Sequence, residues 1–255
     1  MAALTATATC LADSEETARP EIRLLSYNVH GCRGASGKLS IGRTAGVIAE
    51  QKPDVVAIQE VDAGLSRSGM VDQPAELGRI LGMHATFGKT LSMGGGYGIA
   101  VLSKEKPLSV EQIPLPGREP RKLLLCEFEE FWFGSTHLAL ELTNRLESAV
   151  IIGQAIAERA TKKPVFVAGD WNAKPVSETL DAMRKSLTIL SLEKCRTFHG
   201  FKPYEPGSER CIDYVAVDSA HAGSFTVNDT HIVEDRDTSD HFPVFVSVSV
   251  SGPSR

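Results

Sequence analysis

The sequence predicts an α/β fold rich in strands, with two packed β-sheets and helices outside. Short apolar runs recur from residue 22 to residue 250, and several end in an acid or an amide. Apolar residues take helical spacing at 43–51 and most clearly at 144–159, and strict alternation returns at 210–217 and 244–250. Strand-length runs interleaved with helical patterns define an α/β chain. With 255 residues, 42% hydrophobic and 23% charged, the composition is ordinary globular. No repeat or linker is visible, so one domain over 21–250 is expected, with a tail or processed segment at 1–20 and a short tail at 251–255.

Ile22 to Val29 is the first expected strand, and its Tyr27-Asn28-Val29-His30-Gly31 end starts turn chemistry. A Gly/Ser-rich loop follows, then a helix from Arg43 to Gln51, stopped by Pro53. Val55 to Glu60 is a second apolar run that delivers an acid at its carboxyl end. This strand–helix–strand unit is short enough for one right-handed crossover. Ala75 to Leu81 reads as a short helix and His84 to Phe87 as a strand. Met93-Gly94-Gly95-Gly96-Tyr97-Gly98 lacks the Gly-Lys-Ser/Thr ending of a phosphate loop and reads as a hairpin turn into the strand Ile99 to Ser103. Four prolines between Lys106 and Arg121 predict a loop. Lys122 to Phe128 and Phe131 to Leu138 form a hairpin, and Asn144 to Arg159 is the strongest helix. Pro164 precedes the strand Val165 to Asp170; Ser177 is the expected N-cap of a further helix to Arg184. Arg210 to Val217, the weaker Phe225 to Asn228 and Thr230 to Val233, and Val244 to Val250 complete the strands.

Net charge is −5, from 27 Lys+Arg against 32 Asp+Glu. Proteins that grip long nucleic acid usually carry a basic face; nothing in this balance forces that partner. A bound metal ion would supply positive charge by another route. No apolar run approaches the ~20 residues that span a bilayer. The cysteines are Cys10, Cys32, Cys126, Cys195 and Cys211, with no Cys-x-x-Cys, which disfavours a disulfide framework or a structural zinc site. Cys195 and Cys211 could pair in an exported protein. The compartment stays open between cytoplasm and export, and a monomer is expected.

Val165-Phe166-Val167-Ala168-Gly169-Asp170-Trp171-Asn172 is the most informative stretch. In an extended backbone Asp170 and Asn172 face one side and Trp171 the other. Alone, the octet fits a strand, a turn and a helix cap as well as it fits a site. Other strand ends carry similar groups: Asn28, Glu60, His137, and Asp240 with His241. Ligand sites of α/β folds gather at such edges. Hard oxygen donors dominate the set, so Mg²⁺ is the favoured ion, with Mn²⁺ or Ca²⁺ as substitutes, rather than zinc.

Tyr27-Asn28-Val29-His30, Gln59-Glu60-Val61-Asp62, Thr136-His137-Leu138, Gly169-Asp170-Trp171-Asn172, Ile212-Asp213-Tyr214 and Ser239-Asp240-His241 occur in this order. Over residues 22 to 250 the chain thus resembles the endonuclease/exonuclease/phosphatase superfamily, the DNase I-like fold. Gly117-Arg118-Glu119-Pro120-Arg121 and the glycine turn look like a bacterial branch of it. The resemblance implies a four-layered α/β sandwich and Mg²⁺-dependent hydrolysis of a phosphate ester. Glu60 would be the principal metal ligand, with Asn28 and Asp240 beside it. Asp213 and His241 would form a dyad, His241 acting as general base or as proton donor to phosphate. Asp170 would position or deprotonate water, Asn172 would donate to a phosphate oxygen, and His137 would help neutralise the transition state. Arg121 is a candidate contact for the substrate phosphate, with a solvated strand-end charge as the alternative. His30, His84, His199, His221 and His231 read as structural. One departure stands out: relatives commonly carry Asn or Glu at position 99, which orients the histidine at the His137 position, and isoleucine cannot.

The leading expectation is a metal-dependent phosphodiesterase or nuclease, with nucleic acid among its substrates. A phosphomonoesterase acting on a small or lipid phosphate is the alternative, and a non-catalytic binding scaffold is a reading from another class. Retention of Glu60 together with Asp213 and His241 separates the enzymes from the scaffold.

Overall fold

In the computed structural model, which describes residues 21–251, the apolar runs become the strands of two six-stranded sheets. The expected tail at 1–20, and residues 252–255 of the tail expected at 251–255, lie outside the described residues. In chain order the elements are β1 (Glu21–Asn28), α1 (Ile41–Gln51), β2 (Val55–Ala63), α2 (Gln73–Leu81), β3 (His84–Ser92), β4 (Gly96–Ser103), β5 (Ser109–Leu115) and β6 (Arg121–Glu127). They continue with β7 (Trp132–His137), α3 (Leu142–Arg159), β8 (Val165–Asp170), α4 (Glu178–Met183), β9 (Leu187–Ile189), β10 (Asp213–Asp218), β11 (Phe225–Ile232) and β12 (Val244–Val250). One sheet runs β11-β12-β1-β2-β4-β3 and the other β5-β6-β7-β8-β10-β9. Each has one parallel pair near its centre, β1 with β2 and β7 with β8.

Alternation along each strand decides which layer a side chain enters. In β2, Val55 and Ala57 meet Phe133, Phe166 and Val215 of the other sheet, while Val56 and Ile58 pack outward with Ile48 and Leu77. The second sheet repeats this: Phe166 and Ala168 face the first sheet, whereas Val165 and Val167 pack against Ile152 and Ile156 of α3. Both faces of each sheet are covered, which is why the central strands read as continuous apolar runs. The result is helix, sheet, sheet, helix: a four-layered α/β sandwich of the DNase I-like kind.

Several elements depart from the sequence expectation. The proline-rich stretch expected as a loop contains β5, an edge strand in which Pro114 sits opposite Lys122. An edge strand has one side without ladder partners, so proline is tolerated there. The two weak strands after residue 225 are one, β11, with a register shift between Val227 and Asp229. The three-residue β9 is too short to show a period. The glycine turn does close a hairpin, β3 with β4. Ser177 caps α4 as expected, its hydroxyl accepting from Leu180 N at 3.4 Å. Cys195 and Cys211 remain free thiols with their Sγ atoms 2.8 Å apart.

Gly169 lets the two halves of the site approach. Its φ is +155°, and a Cβ there would lie 1.9 Å from the Thr136 carbonyl oxygen on β7. Backbone cannot yield as a flexible side chain can. Gly169→Ala is therefore expected to lose about 3 kcal/mol or more from strain and overpacking combined, read from urea midpoints. A midpoint equal to wild type would show that β7 and β8 separate freely.

Candidate active site

The registers bring the polar strand ends to one edge. Asn28 pairs opposite Gln59, His137 opposite Asp170, and Asp213 opposite Asp170. Asp213 opens β10 rather than lying within a strand, and because β10 runs antiparallel to β8 it reaches the same edge. Glu60 arrives by a bulge: the register of β2 on β4 shifts between Gln59 and Val61, and Glu60 takes φ +60°. Asn172 is likewise left-handed at φ +49°. Non-glycine residues in this region are uncommon and concentrate at functional positions.

Asn28 is the hub. Its Oδ1 accepts the His30 N–H at 3.1 Å, which fixes the amide so that Nδ2 faces the acids. Nδ2 lies 2.9 Å from Glu60 Oε1, 3.2 Å from Asp170 Oδ2 and 3.4 Å from His241 Nε2. On the other side of the imidazole, His241 Nδ1 meets both Asp213 oxygens at 3.0 and 3.1 Å. Asp170 Oδ2 stands 3.7 Å from His241 Nε2 and 3.5 Å from His137 Nε2, and its Oδ1 accepts the Asn172 N–H at 2.9 Å. Asp170, Asp213, His137 and His241 are all buried.

Burial together with the Asp213 carboxylate pushes the Asp170 carboxyl up to about 7. Burial alone would lower His241, but Asp213, then Asp170 and Asp240, outweigh it and raise the imidazole to about 10. His137 goes the other way: burial, then the Arg121 guanidinium and His241, hold it well below the ordinary imidazole range. The two histidines thus differ in charge at neutral pH, one imidazolium and one neutral.

Other expected site residues have different company. The Asn172 side-chain amide donates to Leu138 O at 2.9 Å. Trp171 turns away, as alternation requires, and packs on Tyr214 with ring centroids 4.9 Å apart. The Asp240 carboxylate meets Ser239 Oγ at 3.5 Å, and that hydroxyl donates to Asn28 O at 2.7 Å. Arg121 is 9% exposed, so it is not a solvated charge; its Nη1 lies 3.2 Å from His137 Nδ1 and 2.7 Å from Glu119 Oε1. Ile99 is buried in the core between the sheets.

Sequence reasoning missed the supports behind the dyad. Thr197 Oγ1 accepts the Ile212 and Asp213 N–H groups at 2.9 and 3.1 Å, and Phe198 sets its edge against the His241 ring at 4.8 Å. Nothing in the local pattern marks either residue. Ser239 lay within a quoted motif but carried no role. His30, read as structural, borders a cleft of about 390 Å³ beside Glu60, together with Arg33, Arg67, Met93 and Tyr97. Asp62 holds Arg67 there at 2.9 and 2.6 Å.

Among the described residues, Asp170, Asp213 and His241 bring potential ligand atoms within 4.8 Å of one another, with His241 able to join them only as a neutral imidazole. Glu60 adjoins this group through Asn28. Burial first, and then the neighbouring Asp213 carboxylate, push the Asp170 carboxyl up. A hard divalent cation fits such a donor set.

A two-sheet α/β sandwich with acids, amide and imidazoles on one strand edge defines the DNase I-like class of hydrolase folds. The chain belongs to the Endonuclease/Exonuclease/phosphatase family, whose model matches residues 25–241; its members are phosphoesterases. The fold is similar to an endonuclease/exonuclease/phosphatase from Beutenbergia cavernae DSM 12333 (TM-score 0.76, 23% identity, 92% of this chain and 72% of that one). It is similar to a mannosyl-6-phosphatase of Bacteroides thetaiotaomicron VPI-5482 (TM-score 0.70, 21% identity, 89% and 99%). It is also similar to D. rerio TDP2 complexed with a single-strand DNA product (TM-score 0.69, 19% identity, 90% and 99%). A search of the curated proteins gives no match. No helix among the described residues is long and apolar enough to cross a membrane.

Proposed function

We propose that this chain is a divalent-metal-dependent phosphoesterase whose preferred substrate is a phosphodiester, as for a nuclease or phosphodiesterase. The observation that carries it is the convergence at one strand edge of Glu60 and Asp170, both accepting from Asn28 Nδ2, with the Asp213-backed imidazole of His241 close beside them. Glu60, with Asp240, would hold Mg²⁺, with Mn²⁺ or Ca²⁺ as substitutes; Asn28, expected beside them as a ligand, turns its Oδ1 to the His30 N–H and its Nδ2 to Glu60, so it would orient the carboxylate rather than bind the ion. Bound there, the ion would supply Lewis-acid neutralisation of phosphate charge.

The chain's own groups divide the remaining work. Asp170, with a carboxyl near neutrality, accepts a proton from the attacking water. His241, held as imidazolium by Asp213, acts as a donor to a phosphate oxygen rather than as the base. In-line displacement separates the attacking and leaving oxygens across phosphorus. Asp170 Oδ2 and His241 Nε2 are only 3.7 Å apart, so both attend the attacking-water end; the bond to the leaving oxygen breaks at the opposite end, where that oxygen takes its proton from solvent. His137 Nε2 borders the same locus, 3.5 Å from Asp170 Oδ2, and Asn172 retains a second amide hydrogen for a phosphate oxygen.

A phosphomonoesterase acting on a small or lipid phosphate is the second reading. The cleft beside Glu60 favours it by its small-ligand size, with Arg33, Arg67 and Tyr97 on its border alongside Glu60, Asp62 and Glu119. The fold-level likeness to both a mannosyl-6-phosphatase and a DNA-bound TDP2 is consistent with either substrate class. A panel under one metal condition decides between them: single- and double-stranded DNA, RNA, sphingomyelin, phosphoinositides, nucleotides and sugar phosphates. Bis-p-nitrophenyl phosphate is expected to turn over with Mg²⁺ or Mn²⁺ and to stop in EDTA. Unchanged turnover in EDTA would remove the metal from the mechanism.

A further inference from the structure

His137 has a polar partner on each ring nitrogen, and the identity of one of them fixes its tautomer. Nδ1 faces Arg121 Nη1 at 3.2 Å. Guanidinium has donors and no acceptor, so Nδ1 must be the accepting nitrogen and the proton must sit on Nε2. Nε2, which then carries the proton, lies 3.5 Å from Asp170 Oδ2. The space bordered by Thr90, Tyr97, Ile99, Arg121, Lys122 and His137 has no room for a water molecule. Ile99 offers that space only hydrocarbon. Arg121 is itself held, opening β6 at 9% exposure with its guanidinium paired to Glu119 at 2.7 Å.

We propose that Arg121 is a positioning residue: it locks His137 as the neutral Nε2–H donor beside Asp170 and acts on the reaction through His137 rather than by binding the substrate phosphate. The role in catalysis rests on the phosphoesterase reading given above; the tautomer does not. A neutral donor suits this place, because a second imidazolium beside that of His241 would add repulsion inside a buried site.

Nitrogen-15 NMR of the imidazole rings tests the geometry without any substrate. In the wild type His137 is expected to show a protonated Nε2 and an unprotonated Nδ1, and Arg121→Met is expected to lose that fixed state. A wild-type His137 protonated on Nδ1 overturns the proposal. On activity, loss of an orienting partner typically costs about 10–100-fold, so Arg121→Met should lower kcat by that factor, with KM little changed. Arg121→Lys, whose ammonium also only donates, should restore most of it. The deciding comparison is a double-mutant cycle. Arg121→Met added to His137→Ala should cost nothing further, whereas independent, multiplying losses would place Arg121 on the substrate and refute the positioning role. If the panel found no phosphoesterase activity, the NMR result would still stand or fall alone.

Discussion

His241→Ala is expected to lower kcat by at least about a hundredfold, the scale of a lost proton donor or charge-stabilising group. The same substitution gives a stability signal with a definite pH dependence. The folded imidazole sits at about 10, above its ordinary range near 6.5, because Asp213, Asp170 and Asp240 outweigh its burial. A raised histidine stabilises the fold fully below its unfolded value, and the stabilisation is lost as pH rises through the folded value. The Tm advantage of wild type over His241→Ala should therefore be largest near pH 6 and shrink steadily toward pH 10. Removing one partner of a buried pair costs about 3–5 kcal/mol, ample for detection at the low end. An advantage that grew with pH would mean that His241 is neutral at pH 7, and it would return the base role to the imidazole. A kcat loss of tenfold or less would move the reaction away from this histidine.

The site was legible because the polar groups close the apolar runs. A strand buried on both faces has no place for Asn28, Glu60, His137 or Asp170 in its interior, so such residues at run ends stand out even without a partner in view. Registers then bring them together, and these follow from the same apolar pattern. What the sequence hid falls into three kinds. Arg121 stands at a strand end, where arginine is usually solvated; only the packing of β4 and β6 shows it turned inward onto His137. Glu60 reaches the edge through a bulge that alternation does not announce. Thr197 and Ser239 act by backbone contacts across the chain, from Thr197 to Asp213 and from Ser239 to Asn28, and no local pattern encodes them. The loop expected around Pro114 failed for a related reason, since edge position is a property of the sheet and not of the segment.

Glu60 provides the second large effect, and it separates two places where the cation could sit. Glu60→Ala is expected to reduce turnover at least about a hundredfold and to abolish the rise in Tm that Mg²⁺ is expected to give the wild type. Binding to the folded state alone should stabilise it by about 2.7 kcal/mol at a hundredfold excess over Kd. If the Mg²⁺ shift survived Glu60→Ala but vanished in Asp213→Asn, the cation would belong to the Asp170, Asp213 and His241 group instead, and Glu60 would lose its role as principal ligand. Glu60→Gly sharpens the comparison. At φ +60° glutamate carries backbone strain that glycine does not, of order 1 kcal/mol. In EDTA, Glu60→Gly should therefore be at least as stable as wild type while remaining inactive with Mg²⁺ restored. A variant that folds better and works worse would show that the bulge at the end of β2 is kept for the carboxylate it aims. Loss of stability in the glycine variant would instead make Glu60 a structural residue, held in place by its contact with Asn28.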